Sequence, residues 1–231
     1  MQNNCDKIIM PRQTRKIKPT YRSVSGIHAF RGDHGIAYES TLERDFIIRH
    51  EFCKSVLNII PQPFQIDYRA SSGRTYTYTP DFLVQYRLAN EYWEDAPKPI
   101  LVEVKPLSEI KKNWREWSLK YKAAMRFAKN QGYVFHLHDE NRIRDQVFKN
   151  IMFLKRYKRM EFPKEETDWI LENITQMGQT PFHYIVSRHF NGIDAAVGIS
   201  HIWHLVLMGK LECDMRLPFS NNTELWIPHH E

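Results

Sequence analysis

Hydrophobic and polar positions along this chain switch between two periods, and each switch marks an element. From Ser40 the apolar residues Leu42, Phe46, Ile47 and Cys53 recur at three- and four-residue spacings, with Arg44, Asp45, Arg49 and Lys54 mostly elsewhere on the wheel. That pattern predicts a helix capped by Ser40 and fading before Pro61. Three strands are predicted next. Residues 76–86 (YTYTPDFLVQY) are rich in aromatic and β-branched side chains, 100–105 (ILVEVK) form a short apolar run ending in charges, and 133–138 (YVFHLH) are the third. A helix over 108–131 separates the last two, with Ile110, Trp114, Trp117, Tyr121, Ala124 and Ala128 along a face expected to be core and Gly132 ending it. Strand, long helix, strand predicts a βαβ unit with parallel neighbours. Another helix, 145–160, carries Lys149, Lys155, Arg156, Lys158 and Arg159.

Beyond it the character changes. A proline and four acids within a few residues of 161–166 (Glu161, Glu165, Glu166 and Asp168) read as a linker at 161–167, and 168–231 as a second, smaller domain. There, short helices over 168–176 and 181–189 precede a longer one over 195–209, whose apolar residues are Val197, Ile202, Leu205 and Val206. Extended pieces at 211–215 and 223–227 follow, joined by a Pro/Ser/Asn turn. Three helices and a hairpin predict a winged-helix-like domain. At the other end, residues 1–26 hold six basic residues (Lys7, Arg12, Arg15, Lys16, Lys18, Arg22), one acid (Asp6) and no apolar period. They read either as a basic arm that touches phosphates or as a solvated terminus. The expected division is therefore an arm (1–26), an α/β domain (27–160), a linker (161–167) and the winged-helix-like domain (168–231).

Composition narrows the partners more than the fold. The 231 residues are 42% hydrophobic and 26% charged, which excludes a largely disordered chain. Lys plus Arg is 33 against 27 for Asp plus Glu, an excess of +6 that favours a polyanionic partner. No apolar run has the length of a membrane span, and the first residues lack the apolar core of a secretory signal. Cys5, Cys53 and Cys213 are too scattered for a disulfide framework or zinc ribbon, so a reducing, cytoplasmic setting is expected.

Four side chains carry the candidate chemistry: Glu43, Asp81, Glu103 and Lys105. Period 2 in a strand sets Glu103 and Lys105 on one face, with Val104 turned to the core. If the strands holding Asp81 and Glu103 form a hairpin about Tyr92 and Trp93, with 89–97 as its loop, Asp81 falls roughly opposite Val104. Two carboxylates so close repel unless a cation lies between them. Hard oxygen ligands suit Mg²⁺, which in turn suits phosphate chemistry. Each residue also has a plainer reading. Ser40 and Glu43 fit a capping box, Glu103 and Lys105 a charged pair on a solvated strand face, and Asp81 a turn after Pro80. The pairs His136/His138 and His201/His204 lack a third ligand and read as structural. Lys111, Lys112, Lys120, Lys122 and Lys129 form either a solvated face or a track for a DNA backbone.

Pro80-Asp81, then about twenty residues on Glu103-Val104-Lys105, with an acid on the preceding helix, resembles the PD-(D/E)xK nuclease pattern. With STLERDF, YTPDF, VEVKP and the basic arm, roughly 20–231 is similar to the TnsA family, the endonuclease subunit of heteromeric cut-and-paste transposases. The resemblance implies a restriction-endonuclease-like mixed sheet flanked by helices. It also implies a bacterial cytoplasmic enzyme that uses Mg²⁺, with Mn²⁺ able to substitute, to cut the 5′ ends of a transposon in double-stranded DNA. A TnsB-like recombinase would process the 3′ ends, and a TnsC-like ATPase would dock on the C-terminal domain. Glu43 matches the helix acid, Asp81 the metal-bridging acid, Glu103 the third ligand and Lys105 the lysine at the attacked phosphate. Some relatives carry Gln at the position of Glu103, so this chain has one more negative charge there. A stand-alone restriction or repair nuclease and a non-catalytic DNA or protein adaptor are the competing readings.

Overall fold

The computed structural model describes residues 11–14, 24–87, 97–190 and 195–228. Most of the basic arm expected at 1–26, and nearly all of the loop expected at 89–97, lie outside them. Within the arm, Thr14 is anchored: its amide and hydroxyl both donate to the Gln62 carbonyl, at 3.0 and 2.8 Å. Two compact units divide the chain at Ile143/Arg144.

The first unit opens with a hairpin that the apolar pattern did not announce, β1 (Gly26–Phe30) and β2 (His34–Tyr38). Arg31 at its turn donates to the carbonyls of Val56 (2.7 Å) and Cys53 (2.8 Å), tying the hairpin to the end of the next helix. That helix, α1 (Thr41–Glu51), starts at Ser40 as expected but stops ten residues before Pro61. Residues beyond it turn into a strand, β3 (Val56–Pro61), whose Val, Ile and Ile positions fill the sheet core.

Four strands make the central sheet, in the order β3, β6 (Phe82–Tyr86), β7 (Ile100–Val104) and β8 (Val134–His138). The first two pairings are antiparallel and the last is parallel, joined by α2 (Leu107–Asn130), so the expected βαβ unit is present. Gly132 (φ +74°) closes α2: the amides of Tyr133 and Gly132 return to the carbonyls of Ala128 and Lys129, satisfying acceptors that a helix end otherwise leaves unpaired. On one sheet face α1 contributes Leu42, Phe46 and Ile47 against Phe82, Val84, Val102 and Val104. On the other, Tyr121, Ala124 and Ala128 of α2 cover Leu83 and Leu101. This is the restriction-endonuclease-like mixed sheet flanked by helices.

Two expectations change here. Pro80 cannot donate to a ladder, and the strand expected at 76–86 breaks around it. Its first part, β5 (Thr75–Tyr78), leaves the sheet and pairs with β4 (Ile66–Arg69) as a separate two-stranded ribbon. The aromatic stripe of α2 is core only in its second half, since Tyr121 is buried whereas Trp114 is 51% exposed. A 24-residue helix spans about 36 Å. The five-residue strands beneath reach about 17 Å, so the first turns of α2 overhang the sheet.

The second unit begins with α4 (Gln146–Leu154), which follows a single short turn of helix, α3 (Glu140–Ile143). Asp145 caps α4 by accepting from the Phe148 amide at 2.9 Å. Phe153, just before its end, packs edge-on against Trp203 of α7 (Ala195–Leu207). Residues 144–160 therefore belong with the C-terminal part of the chain, and the boundary expected at 161–167 falls inside this unit. Pro163, Glu165 and Glu166 start α5 (Lys164–Met177), where acids near the helix N-terminus offset the dipole. A proline with acids reads as a linker in sequence but acts here as a helix start. Strand β9 (Thr180–Pro181), α6 (Phe182–His189), α7 and β10 (Glu224–Leu225) complete the unit. The hairpin expected between 211–215 and 223–227 is reduced to one bridge, Glu212 with Trp226, while β10 pairs instead with β9.

Candidate active site

All four predicted residues gather at one end of the sheet in the first unit. Strand registry sets Phe82 opposite Val102, so Asp81 lies opposite Glu103, one residue from the expected partner. Its side chain still reaches Val104: Oδ2 accepts from the Val104 amide at 2.8 Å. Lys105 Nζ stands 3.4 Å from that same oxygen and 3.8 Å from Glu103 Oε1, bridging the two acids. The ammonium's pKa is raised, since Asp81, Glu103 and Glu43 together outweigh its burial.

Glu43 reaches the group from α1. It does form the capping arrangement, with the Ser40 hydroxyl donating to Oε1 (2.9 Å) and the Glu39 amide to Oε2 (2.7 Å). Its pKa is nevertheless pushed up to about 7, first by burial and then by the charge of Asp81. The capping side chain and the candidate site acid are thus one residue. Glu103, 2% exposed, is likewise pushed up to about 7 by burial and then by Asp81. Two buried acids, each repelled by the partly buried Asp81, are unlike a solvated charge pair, whose carboxylates would face water on a strand edge.

Two further residues hold Glu103, and neither was expected at the acid cluster from sequence. Tyr78, at the foot of the ribbon, donates its hydroxyl to Glu103 Oε2 at 2.6 Å. Lys120 Nζ lies 3.3 Å from Oε1 and within 4.5–5.0 Å of the ring centroids of Trp117, Tyr78 and Tyr121. Its side chain is 14% exposed, so it belongs neither to a solvated face nor to a DNA track. The signal was available: Lys120 sits three residues after Trp117 and four before Ala124, which places it on the apolar face of α2.

Among the described residues no three His, Cys, Asp or Glu side chains form a ready-made metal cage. Asp81 and Glu103 instead present their oxygens to Lys105, Lys120 and Tyr78. The donor chemistry fits a small, hard divalent cation, because every acidic group here is a carboxylate and two of them have pKa values raised by burial and then by the charge of Asp81. His138 is pulled down to about 3 and His201 to about 4, both chiefly by burial. His201 stacks flat on Phe162, centroids 4.2 Å apart, and shares a 2.8 Å hydrogen bond with Thr167 Oγ1.

No helix among the described residues is long and apolar enough to cross a membrane. No curated protein sequence matches the chain. Two family models do. The first, described as TnsA-like endonuclease N terminal, matches residues 53–140 and so takes in Asp81, Glu103, Lys105 and Lys120. The second, described as TnsA endonuclease C terminal, matches residues 142–215, and the two meet where the compact units divide. The sheet with its buried acids and the unit that follows it thus fall under the two halves of one nuclease, and the chain belongs to the TnsA family of transposon endonucleases.

Proposed function

We propose that this chain is a Mg²⁺-dependent endonuclease that cuts the 5′ ends of a transposon, leaving a 3′ hydroxyl and a 5′ phosphate. The observation carrying the proposal is the convergence of Asp81, Glu103 and Lys105, with Glu43 close enough for Asp81 to raise its pKa. Hydrolysis of a phosphodiester needs an activated water and compensation for a strongly anionic transition state. Asp81 and Glu103 would hold the divalent ion, with Glu43 as a third acid, and Mn²⁺ would substitute. Such an ion, when bound, supplies a more acidic water and charge for the phosphoryl oxygens.

The protein's own share is positioning. The Val104 amide fixes one Asp81 oxygen. Tyr78 and Lys120 fix the two oxygens of Glu103, so the acid cannot swing when substrate arrives. Lys105, already between the acids, places an ammonium beside the attacked phosphate, where it meets the charge that develops on the non-bridging oxygens.

The second unit serves docking. From α5 on, its order of helix, strand, two helices and two extended segments supports a winged-helix-like reading. The helix a DNA reader would insert, α7, contains no Lys or Arg, and its His201 is fully buried. Val197 and Ile199 are instead exposed on it, which favours a protein partner, the TnsC-like ATPase, over a DNA groove. A TnsB-like recombinase would cut and join the 3′ ends. The test is cleavage of transposon-end duplex with the recombinase present, mapping each strand. A cut at the 5′ end supports the proposal. Cutting of unrelated plasmid by the chain alone indicates a stand-alone nuclease, and no cut under any condition indicates an adaptor.

A further inference from the structure

Strands β3 and β6 are direct neighbours, paired to their ends at Pro61 and Phe82, and the Gln62 amide adds a 2.8 Å bond to the Asp81 carbonyl. Antiparallel neighbours need only a two- to five-residue turn. This chain instead inserts residues 63–80 and folds them into the β4–β5 ribbon. The insertion opens from the end of the sheet that carries Asp81, and its last strand runs through Pro80 straight into that acid.

The ribbon has a root and a free end. At the root, Ile66 and Tyr78 are buried under α2, and Tyr78 holds Glu103. Toward the tip, residues 71–77 are all exposed. The turn is nonetheless well defined: Gly73 (φ +82°) permits the left-handed step, the Gly73 amide donates to the Ala70 carbonyl, and the Ala70 amide donates to Arg74. Arg69 Nε also donates to the Gly73 carbonyl at 3.0 Å. Cross-strand registry sets Asp67 and Arg69 with Thr75 and Thr77 on one face. The single acid of the ribbon, Asp67, is engaged by the Thr77 hydroxyl at 2.8 Å, leaving Arg69 and Arg74 as the unneutralised charges. Tyr76, paired with Tyr68 on the opposite face, is 47% exposed.

We propose that this ribbon is a DNA-gripping arm that holds the duplex flanking the scissile phosphate. The proposal rests on the nuclease reading of the site beneath it. Four-residue strands extend about 13 Å from the root, and a two-stranded ribbon is narrow enough for the roughly 12 Å major groove. Arg69 and Arg74 meet phosphates, and Thr75 and Tyr76 meet sugars or base edges. Because the root carries Tyr78 and leads into Asp81, gripping the duplex fixes its distance from the acids.

The test uses the full chain, a duplex oligonucleotide spanning the transposon end, and EDTA so that binding is read without cutting. Arg74→Glu is the main variant because Arg69 also braces the turn, and Arg74→Gln with a thermal melt guards against misfolding. Arg74→Glu is expected to weaken binding about tenfold and reduce the slope of log affinity against log salt by about 1. Lys98→Glu, an exposed site at the far end of β7 from Glu103, is the charge-matched control and should bind within about twofold of the parent. Wild-type affinity and slope for Arg74→Glu would overturn the proposal. An equal loss for Lys98→Glu would do so too, since net charge alone would then explain the effect. So would a variant that binds duplex normally but fails to assemble with partner proteins. Asp81→Ala on the same duplex separates this from the nuclease reading: if it still cuts, that reading fails while the arm's binding result stands.

Discussion

Both units bury ionisable side chains, and they treat them in opposite ways. In the second unit His201 is kept neutral: Phe162 covers its ring, Thr167 bonds one nitrogen, and burial pulls its pKa down to about 4. In the first unit Glu43, Asp81 and Glu103 are crowded together with Lys105 and Lys120, and two of the acids are pushed up to about 7. A buried imidazole that gives up its charge costs little and stabilises a core. Acids held in repulsion destabilise the fold that holds them, and folds keep such arrangements where charge is to be used. Burial alone does not identify a functional site; the sign and mutual arrangement of the buried groups do.

The contrast breaks most sharply by substitution within the acid cluster. Glu103→Ala removes a carboxylate held on both oxygens and should lower the rate of end cleavage by on the order of 10³-fold, measured in single turnover with the fold checked by circular dichroism. Glu103→Gln should fall much less far, since the TnsA pattern accommodates Gln at this position. Equal losses in the two variants would show that the negative charge, not the shape, is what matters. Next in size is Lys120. Lys120→Met frees one oxygen of Glu103 and should reduce the cleavage rate by about 10- to 100-fold, with Lys120→Arg recovering most of it. A Met variant with the parent's rate would reduce Lys120 to packing.

Those two residues also show what the sequence could and could not reveal. Asp81, Glu103 and Lys105 were legible because strand period and loop length alone bring them within one residue of their observed registry. Glu43 was legible twice, as cap and as candidate site acid; the structure shows the cap and sets the side chain within reach of the Asp81 charge. Tyr78 was not, because the run 76–86 looks like one strand, and only Pro80 hints that it divides between the ribbon and the sheet. The β1–β2 hairpin was silent because it has just two fully buried apolar residues, Phe30 and Ile36, too few to display a period. The unit boundary was misplaced because the acids at 165 and 166 serve the start of α5.

Smaller effects sharpen the comparison from the other side. Thr167→Val leaves His201 Nε2 buried without its partner, which should cost about 1–3 kcal/mol in urea unfolding while end cleavage stays at the parent's rate. Loss of cleavage without loss of stability would move the histidine cluster into the function. The two units should also respond to pH with opposite sign in EDTA. Glu43 and Glu103 keep protons in the folded state up to about 7 but lose them from an ordinary value of 4.5 when unfolded. The unfolded chain therefore binds fewer protons, and the stability these acids contribute falls as pH rises through 7. His201 titrates at about 4 folded against 6.5 unfolded, so its contribution is lost as pH falls below 6.5. His138 in the first unit shares that sign, which leaves roughly pH 6.5 to 8 as the range where the acids act alone. Hydrogen exchange by mass spectrometry should show the first unit loosening across that range with the second unchanged. Identical profiles for both units would contradict the contrast.

The central claim is that the acids at the end of β6 and β7 hydrolyse a phosphodiester at a transposon end. Asp81→Ala tests it most directly, in single turnover on an end-labelled transposon-end duplex with Mg²⁺ and the partner recombinase, each strand mapped separately. The account predicts that the parent chain yields the 5′-end cut with a 3′ hydroxyl and a 5′ phosphate, and that the folded variant yields no such product while 3′-end cutting by the recombinase persists. The same 5′-end cut, at the same rate, from Asp81→Ala would contradict it.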